Sequence, residues 1–231
     1  MNPGAEHKIF ELKELHNRSY VFKDRSEAGK VLAGMLKDYR NGEAVVLAVP
    51  AGGVAVAVVI ARELNLRLDV AVVSKITPSW NTEAGYGAVA FDGTIRLNEG
   101  FLSRTRMSDQ EIEEGIKKTE QKVARRVKLL RGDRPMPDFK HPVILVDDGL
   151  ASGFTLVVAI EALRNAGCQE IILAVPTAHE ESLQRVTEKV EAIYCPNIRG
   201  GFSFAVAEAY ENWSDVEEAD VIKILSDFKP N

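Results

Sequence analysis

Two adjacent carboxylates at the end of an apolar run are the first feature of the sequence that could do chemistry. Asp147 and Asp148 follow the apolar residues 143–146 and precede a loop of small residues, Ala151-Ser-Gly-Phe-Thr155. Carboxylate oxygens accept hydrogen bonds from hydroxyl groups and are ligands for divalent cations. A small loop that opens a helix offers backbone N–H groups and the positive helix end to an anion. The joint pattern predicts a site for a sugar phosphate.

Each half of this pattern also has an ordinary explanation. One acid can cap a loop while the other is solvated, and Ser152 or Thr155 can be the N-cap of an ordinary helix. Gly153 tolerates a positive φ, which suits a simple turn as well as a phosphate loop. We favour the joint interpretation, because acids beside an anion loop are a more specific signal than either part. The candidate binding residues here are Asp147, Asp148, Ala151, Ser152, Gly153, Phe154 and Thr155.

Two more loops are predicted at the same edge of the sheet, because ligands of parallel α/β sheets bind beyond the carboxyl ends of the strands. Pro50-Ala51-Gly52-Gly53 follows a predicted strand, and its paired glycines let backbone amides approach an anion. The alternative is a turn that only reverses the chain. Lys75 ends the predicted strand at 69–74, where a cation can face phosphates. Alone, a lysine at a strand end is usually solvated.

The segments around these loops alternate between strand and helix patterns. Near-continuous Val, Ile and Leu in the strands predict an α/β fold with a mainly parallel central sheet flanked by helices. An Asp92-Gly93 pair predicts a hairpin turn, and Ser108 with Glu111 forms a capping box for a long helix that ends at Gly132. Predicted strands span 44–49, 69–74, 87–91, 94–97, 143–146, 170–175 and 192–195, and the other predicted helices span 26–39, 54–64, 155–165 and 179–190.

Composition and spacing disfavour several classes of protein. The net charge of −5 argues against a general nucleic-acid-binding surface. Cys168 and Cys195 form no CxxC motif, and the charged N-terminus lacks a signal peptide's apolar segment, so a reducing cytoplasm is the simplest location. The uncharged run at 44–61 is long enough for a membrane helix, but Pro50-Ala-Gly-Gly53 interrupts it. The basic residues between 122 and 131 are interpreted as a solvated helix face.

The stretch VILVDDGLASGFT, residues 143–155, resembles the phosphoribosyl pyrophosphate (PRPP) binding motif of type I phosphoribosyltransferases. That motif has four apolar residues, two acids and a small loop that ends in Gly-x-Thr. The segments FKDRSEAGKVLAGML, VLAVPAGGVAVAVVIAREL and FAVAEAYENWSDV are similar to one branch of the family whose substrate is uncharacterised. The resemblance implies a type I phosphoribosyltransferase-like fold, with a mainly parallel sheet, flanking helices and a C-terminal hood or cap.

The resemblance also implies a role for each loop. Asp147 and Asp148 would contact the ribose hydroxyls and hold Mg²⁺ together with PRPP, and residues 151–155 would wrap the 5′-phosphate. Ala51, Gly52 and Gly53 would belong to the pyrophosphate loop.

The segment at 76–86 takes the place of the family's flexible lid. Lys75 and, within the lid, Glu83 are the candidate catalytic residues. Trp80 or Tyr86 can stack on a base or belong to the core. Arg199 lies where the family's hood begins and can meet the acceptor.

A single domain over 1–231 is expected, with an N-terminal extension at 1–25, a core at 26–196, a lid at about 75–104 and a C-terminal cap at 197–231. The implied activity is transfer of ribose 5-phosphate from PRPP to a nitrogenous acceptor, with Mg²⁺ and release of pyrophosphate. The expected location is the cytoplasm, with no membrane or nucleic-acid partner, and a homodimer is an option that family members often adopt.

Two departures from the family pattern keep other functions open. The branch usually has a basic residue where Ala51 stands, and several purine-using members have an acid where Ala151 stands. A transferase that acts on 6-oxopurines through that acid is therefore disfavoured. The main alternative is a non-enzymatic protein that binds PRPP or a nucleotide and regulates. A weaker one is a hydrolase or phosphorylase that uses water or phosphate as the acceptor.

Overall fold

A parallel sheet of six strands organises the chain in the computed structural model, which describes residues 8–81 and 85–229. In chain order the strands are β1 (Lys8–Phe10), β2 (Val45–Ala48), β3 (Arg67–Val70), β4 (Val73–Ile76), β5 (Gly87–Ala90), β6 (Ile95–Leu97), β7 (Val143–Val146), β8 (Ile171–Ala174), β9 (Thr177–His179), β10 (Ala192–Tyr194) and β11 (Asn197–Arg199). The helices are α1 (Arg25–Met35), α2 (Gly52–Leu64), α3 (Glu99–Leu102), α4 (Asp109–Arg131), α5 (Phe154–Asn165), α6 (Glu180–Thr187) and α7 (Glu218–Asp227). The order in the central sheet is β1-β10-β8-β7-β2-β3, and each neighbouring pair is parallel.

Alternate side chains of the central strands point to opposite faces of the sheet, and both faces are buried. Val45 and Leu47 of β2 belong to an apolar cluster with α5 and α6, whereas Val46 and Ala48 belong to a second cluster with α1, α2 and α4. Because helices cover both faces, the strands are apolar throughout instead of alternating with polar residues. The predicted α/β fold with a mainly parallel sheet is confirmed.

The uncharged run at 44–61 forms a strand and a helix. β2 ends at Ala48 and α2 begins at Gly52, so the Pro50–Gly53 stretch interrupts the run as predicted. The run is apolar because β2 is central in the sheet and α2 packs on both the sheet and α1. Among residues 8–81 and 85–229, no helix has the length and apolar character needed to cross a membrane.

The prediction of one strand at 69–74 is wrong. β3 ends at Val70 in the central sheet, and β4 begins at Val73 in a separate antiparallel sheet with β5 and β6. Residues 70–73 are all buried, so no polar residue marks the point where the chain leaves the central sheet. As a result, Lys75 lies within β4 of the small sheet and not at the end of a central strand.

The small sheet and α4 follow two local signals that the sequence carries. β5 and β6 pair across the predicted Asp92-Gly93 turn, in which Gly93 has a φ of 89°. L side chains rarely adopt that conformation, so glycine is the residue the turn requires. α4 begins with the predicted capping box, in which Ser108 and Glu111 each bond to the other's backbone. These signals are confirmed, and they fix the scaffold that carries Lys75.

Two arginines of the predicted solvated face are buried. Arg131 donates to both carboxylate oxygens of Asp69, at 3.0 and 2.9 Å, and its side chain is 5% exposed. Arg126 pairs with Glu218 at the start of α7, at 3.4 Å. The Asp69–Arg131 pair joins the end of α4 to β3. The charge pattern of one helix cannot indicate this pair, because the partner comes from a different element.

The remaining predicted elements agree within two residues at their ends, except for two helices. The first predicted helix ends at Met35 and is followed by a separate 3-10 turn at Lys37–Tyr39. The helix predicted at 179–190 spans only 180–187, since His179 belongs to β9 and residues 188–190 form a turn. β9 pairs with β11 in a two-stranded parallel sheet, and strands of three residues are too short to show a period.

We expect Arg131→Met to lower the free energy of unfolding by about 3 kcal/mol, because the buried Asp69 carboxylate loses its two short hydrogen bonds. Arg125→Met is the matched control, since Arg125 is 59% exposed and pairs with Glu218 at the surface. Its loss should cost about 1 kcal/mol or less. Urea denaturation followed by circular dichroism measures both values. Equal losses in the two variants would contradict the role given to the buried pair.

Candidate functional site

Several parts of the chain meet beyond the carboxyl ends of the central strands. β7 and β2 are neighbours with Val146 opposite Ala48, so the loops that follow these two strands lie side by side. Lys75 of β4 and Val206 from the C-terminal part of the chain reach the same place. Together with residues of the 147–156 stretch, they line a cavity of about 200 Å³. The structure thus brings the acid pair, the small loop and Lys75 together.

The two adjacent acids have different surroundings. Asp148 accepts a hydrogen bond from Arg25 Nε at 2.9 Å, and its side chain is 16% exposed. Asp147 Oδ1 accepts the backbone N–H of Asp148 at 2.9 Å. Asp147 keeps part of its surface accessible, but burial of the carboxyl group, and then the charge of Asp148, raise the pKa of Asp147 well above its usual range. The positive charge of Lys75 opposes that increase.

Gly52 and Gly53 allow the start of α2 to contact the acid pair directly. A Cβ atom on Gly52 would lie 1.8 Å from Asp148 Oδ2, and one on Gly53 would lie 2.7 Å from the carbonyl oxygen of Val146. Both distances are too short for a van der Waals contact, so a larger residue fits at neither position. The preceding peptide, Pro50–Ala51, is cis, and the Ala51 side chain packs against the apolar cluster of α1 and α2. The glycine pair is therefore required for close approach and not only for chain reversal.

The small loop after the acids leads directly into α5. Gly153 has a φ of 74° and is followed by Phe154, the first residue of this 12-residue helix. Ser152 Oγ accepts the backbone N–H of Phe154 at 3.4 Å, and Ser152 and Thr155 both line the cavity. Ala151, Ser152 and Gly153 form the cavity wall next to the acids. The N–H groups of the first turn and the positive end of α5 favour an anion here.

Two side chains of α6 hold this loop, and neither was among the predicted site residues. Ser182 Oγ donates to the carbonyl oxygen of Ala151, and Arg185 Nη1 donates to that of Ser152 at 2.9 Å. The C=O and N–H groups of a trans peptide point in opposite directions, so these bonds turn the following N–H groups away from α6. No local pattern reveals this support, because the partners are 31 and 33 positions apart.

Asp148 is also connected to the C-terminal part of the chain. Tyr210 Oη donates to the carbonyl oxygen of Asp148 at 2.6 Å. Arg25, which pairs with the Asp148 carboxylate, donates through Nη1 to the carbonyl oxygen of Ser214 at 2.8 Å. The Arg25 guanidinium carbon lies 3.9 Å from the centre of the Trp213 ring. Arg25, Tyr210 and Trp213 were not among the predicted site residues.

One local signal does point to Arg25. It is the first residue of α1, after the N-cap Asp24, whose side chain accepts the N–H of Glu27. A cation in the first turn is unfavourable, because the helix dipole is positive at that end. A buried arginine at that position therefore indicates an anionic partner from another element, which here is Asp148. Tyr210 and Trp213 have no comparable local signal.

The residues predicted in the lid have different surroundings. Tyr86 is fully buried and its hydroxyl donates to the carbonyl oxygen of Ile112 at 3.4 Å, so it belongs to the core. Trp80 is 63% exposed. Gly85 packs along the Lys75 side chain, since a Cβ atom at Gly85 would lie 3.4 Å from Lys75 Cδ. Glu83 lies outside the described residues.

Arg199, the last residue of β11, is held by contacts with residues 204–208. Its guanidinium pairs with Glu208, donates to the carbonyl oxygen of Ala205 at 3.4 Å and lies 4.8 Å from the centre of the Phe204 ring. The residue is buried, so the predicted contact with an acceptor is not supported. His179 bonds through Nε2 to the carbonyl oxygen of Gly201 at 2.9 Å and helps to fix the same segment.

The acid pair fits Mg²⁺ when a ligand supplies the other oxygens. Across residues 8–81 and 85–229, no three His, Cys, Asp or Glu side chains gather as a metal site. Arg25 donates to one oxygen of Asp148, and the backbone N–H of Asp148 donates to one oxygen of Asp147. A carboxylate offers about four acceptor positions, so these bonds leave positions on both acids. Mg²⁺ is commonly bound by one or two carboxylates together with waters and substrate phosphates.

A family model described as a phosphoribosyl transferase domain matches residues 23–209. Two Mycobacterium tuberculosis proteins, each named "Putative phosphoribosyl transferase", are 31% identical to the chain over 206 residues, which is 89% of this chain. The match covers 46% of each relative, so the chain spans about half the length of these curated proteins. A crystal structure of the protein TT1426 from Thermus thermophilus is similar, with a TM-score of 0.70 and 32% identity over 88% of this chain and 97% of that chain.

Neutralising Asp147 should stabilise the fold at neutral pH. The pKa of Asp147 is higher in the folded state than in the unfolded state, so folding favours the protonated acid. The stability that this acid contributes is complete below the unfolded pKa. It is lost as the pH rises through the folded pKa. Asp147→Asn keeps an oxygen for the Asp148 N–H and carries no charge. We expect a higher melting temperature than wild type at about pH 7, and no difference near about pH 4.

Neutralising Asp148 should have the opposite effect at about pH 7, because Arg25 loses a charged acceptor, at a cost of about 2 kcal/mol. Thermal unfolding followed by circular dichroism in metal-free buffer compares Asp148→Asn with Asp147→Asn. Shifts of the same sign in both variants would contradict the unequal surroundings of the two acids.

Proposed function

The chain belongs to the phosphoribosyltransferase family, and on that basis we propose that it transfers ribose 5-phosphate from PRPP to a nitrogenous acceptor and releases pyrophosphate. The observation that carries the proposal is the cavity shared by Asp147, Asp148, Lys75 and the start of α5. This cavity combines acceptors for sugar hydroxyls, donors for a phosphate and a cation for a leaving group.

The loop before α5 supplies the donors for the 5′-phosphate. The backbone N–H groups of residues 152, 153 and 155 and the hydroxyl groups of Ser152 and Thr155 bind its oxygens, and the positive end of α5 favours its charge. Ser182 and Arg185 support the loop by holding its carbonyl groups. This part of the site recognises a phosphate but not a particular sugar.

The acid pair supplies the recognition of the ribose. Its carboxylates accept hydrogen bonds from the 2′- and 3′-hydroxyl groups through the oxygens that Arg25 and the Asp148 backbone leave available. A charged Asp147 is costly in its protein surroundings, because burial and the charge of Asp148 raise its pKa. A hydroxyl donor or a divalent cation favours the charged form, so ligand binding and ionisation of Asp147 reinforce each other.

In the transfer, the bond from C1 of the ribose to the pyrophosphate oxygen breaks, and a bond from C1 to the acceptor nitrogen forms. Pyrophosphate leaves with the electron pair, and Lys75 with the backbone N–H groups of Gly52 and Gly53 stabilises its growing charge. Mg²⁺, when held by Asp147 and Asp148 with PRPP, adds positive charge at the leaving group. The protein acts mainly by positioning its substrates and by electrostatics.

A PRPP-binding regulator is the second candidate, and two alanines favour it. Ala51 provides no cation at the pyrophosphate loop, and Ala151 provides no acid or base beside the acceptor. Both substitutions leave the ribose and 5′-phosphate contacts intact. A protein with these features can bind PRPP with weak or no turnover.

We expect PRPP with Mg²⁺ to bind the protein, and the Asp147→Asn/Asp148→Asn variant to bind at least about tenfold more weakly, since the ribose loses both charged acceptors. Isothermal titration calorimetry measures the affinities. Asp138→Asn is the matched control, because it neutralises an exposed acid before β7, at the opposite end of that strand. Equal affinity in the double variant and the control would refute the ribose site.

Release of pyrophosphate from PRPP across a panel of purine, pyrimidine and pyridine bases separates the two candidates. Turnover with any base identifies a transferase, and binding without turnover favours the regulator. Release of ribose 5-phosphate without an added base would instead indicate that water is the acceptor.

A further inference from the structure

We propose that Arg25 is a positioning residue for PRPP binding: it fixes the Asp148 carboxylate against the start of α2 and makes the segment 210–214 part of the ribose site. The inference rests on the proposed function, because it treats Asp148 as a PRPP contact. It adds a residue of the first helix and a C-terminal segment to a site that the sequence motif places between residues 143 and 155.

Arg25 is held in a defined orientation. Its Nε donates to Asp148 Oδ2 at 2.9 Å, and its Nη1 donates to the carbonyl oxygen of Ser214 at 2.8 Å. The guanidinium carbon lies 3.9 Å from the centre of the Trp213 ring and 5.8 Å from that of Tyr210. A planar guanidinium held by two hydrogen bonds and an aromatic face presents its donors in fixed directions.

The Asp148 carboxylate has correspondingly little freedom. Its Oδ2 atom lies 1.8 Å from the point where a Cβ atom of Gly52 would be, so it packs directly on the backbone of α2. The main chain of Asp148 is held by the Tyr210 hydroxyl at 2.6 Å. Arg25 therefore fixes the orientation in which the Asp148 carboxylate meets a ribose hydroxyl.

The Arg25 charge also reduces the repulsion between the acid pair and a polyanionic ligand. Asp147 and Asp148 place two carboxylates on neighbouring residues, and PRPP adds several more negative charges. Arg25 compensates Asp148 from the α1 side, while Lys75 lies on the cavity side. Removal of Arg25 would both release the Asp148 side chain and leave its charge unbalanced, and each effect weakens PRPP binding.

The test is a double-mutant cycle on the affinity for PRPP with Mg²⁺, measured by calorimetry. Arg25→Met keeps an apolar chain under Trp213 and removes the charge, and we expect at least about tenfold weaker binding, about 1.4 kcal/mol. If Arg25 acts through Asp148, the two substitutions should not have independent effects. The double variant Arg25→Met/Asp148→Asn should then bind PRPP no more than about twofold more weakly than whichever single variant binds less tightly. Arg125→Met, which loses an exposed ion pair on α4, is the control and should bind within about twofold of wild type.

Each outcome of the cycle decides a different question. If the fold-losses of PRPP affinity in the two single variants multiply in the double variant, Arg25 has a general structural role and the inference is overturned. Affinity close to wild type in Arg25→Met would also overturn it, while leaving the proposed function intact. No binding of PRPP by the wild-type protein would overturn the proposed function itself.

Arg25→Lys keeps the test decisive if Arg25→Met does not fold. The ammonium group retains the charge but cannot direct separate donors to Asp148 and Ser214 with the planar geometry of arginine. We expect binding weaker than wild type by about threefold to tenfold, with the same non-additivity toward Asp148→Asn. Wild-type affinity in Arg25→Lys would overturn the positioning role and leave only a charge effect.

Trp213 provides a second readout. The sequence has two tryptophans, so Trp80→Phe leaves Trp213 as the single emitting residue of that type. PRPP with Mg²⁺ should change the Trp213 emission, because Arg25 lies over the ring and shares Asp148 with the ligand. The change should be lost in Trp80→Phe/Arg25→Met at PRPP concentrations that calorimetry shows to be saturating. Binding by Trp80→Phe without any change in emission would overturn the link to the segment 210–214.

Discussion

The close contact between the start of α2 and the end of β7 is the constraint on which the rest of the site depends. Gly52 and Gly53 lie so near Asp148 and Val146 that neither position accepts a Cβ atom. The loops after β2 and β7 consequently form one structural unit, although 94 positions separate Gly53 from Asp147 in the chain. Because α2 fills the space beside Asp148, the carboxylate is directed toward Arg25. The same packing explains why an apolar run of strand and helix is interrupted by a glycine pair.

Two cations from different elements lie near the acid pair, and they have different roles. Arg25 is buried and already paired, so its charge serves Asp148. Lys75 is exposed on β4 and lines the cavity, so its charge is available to a ligand. Asp147 has a raised pKa, caused by burial and by Asp148. The site therefore holds one acid that is permanently compensated and one whose charge depends on what binds beside it.

Local patterns predict most of the fold, and they predict the part of the site that is contiguous in sequence. The strand before Asp147 and the helix after Gly153 follow from apolar runs and a glycine that tolerates positive φ, and all of these are properties of short segments. The change of sheet between β3 and β4 was missed, because residues 70–73 are buried on both sides of the break. Ser182, Arg185 and Tyr210 were missed for a different reason: they act on carbonyl oxygens of distant loop residues, and a carbonyl group carries no sequence signal.

The difference between a transferase and a PRPP-binding regulator rests on the pyrophosphate end of the site and not on the acid pair. Both proposed functions need the ribose and the 5′-phosphate to be held, so Asp147, Asp148 and the loop before α5 would serve either. Only the transferase must stabilise charge that grows on the leaving group. In the proposed transferase, with alanine at position 51, that work would fall to Lys75 and to the backbone N–H groups of Gly52 and Gly53. Ala151 weighs in the same direction as Ala51, because a transferase with alanine there would have to release the acceptor's proton to water instead of to a side chain at that position.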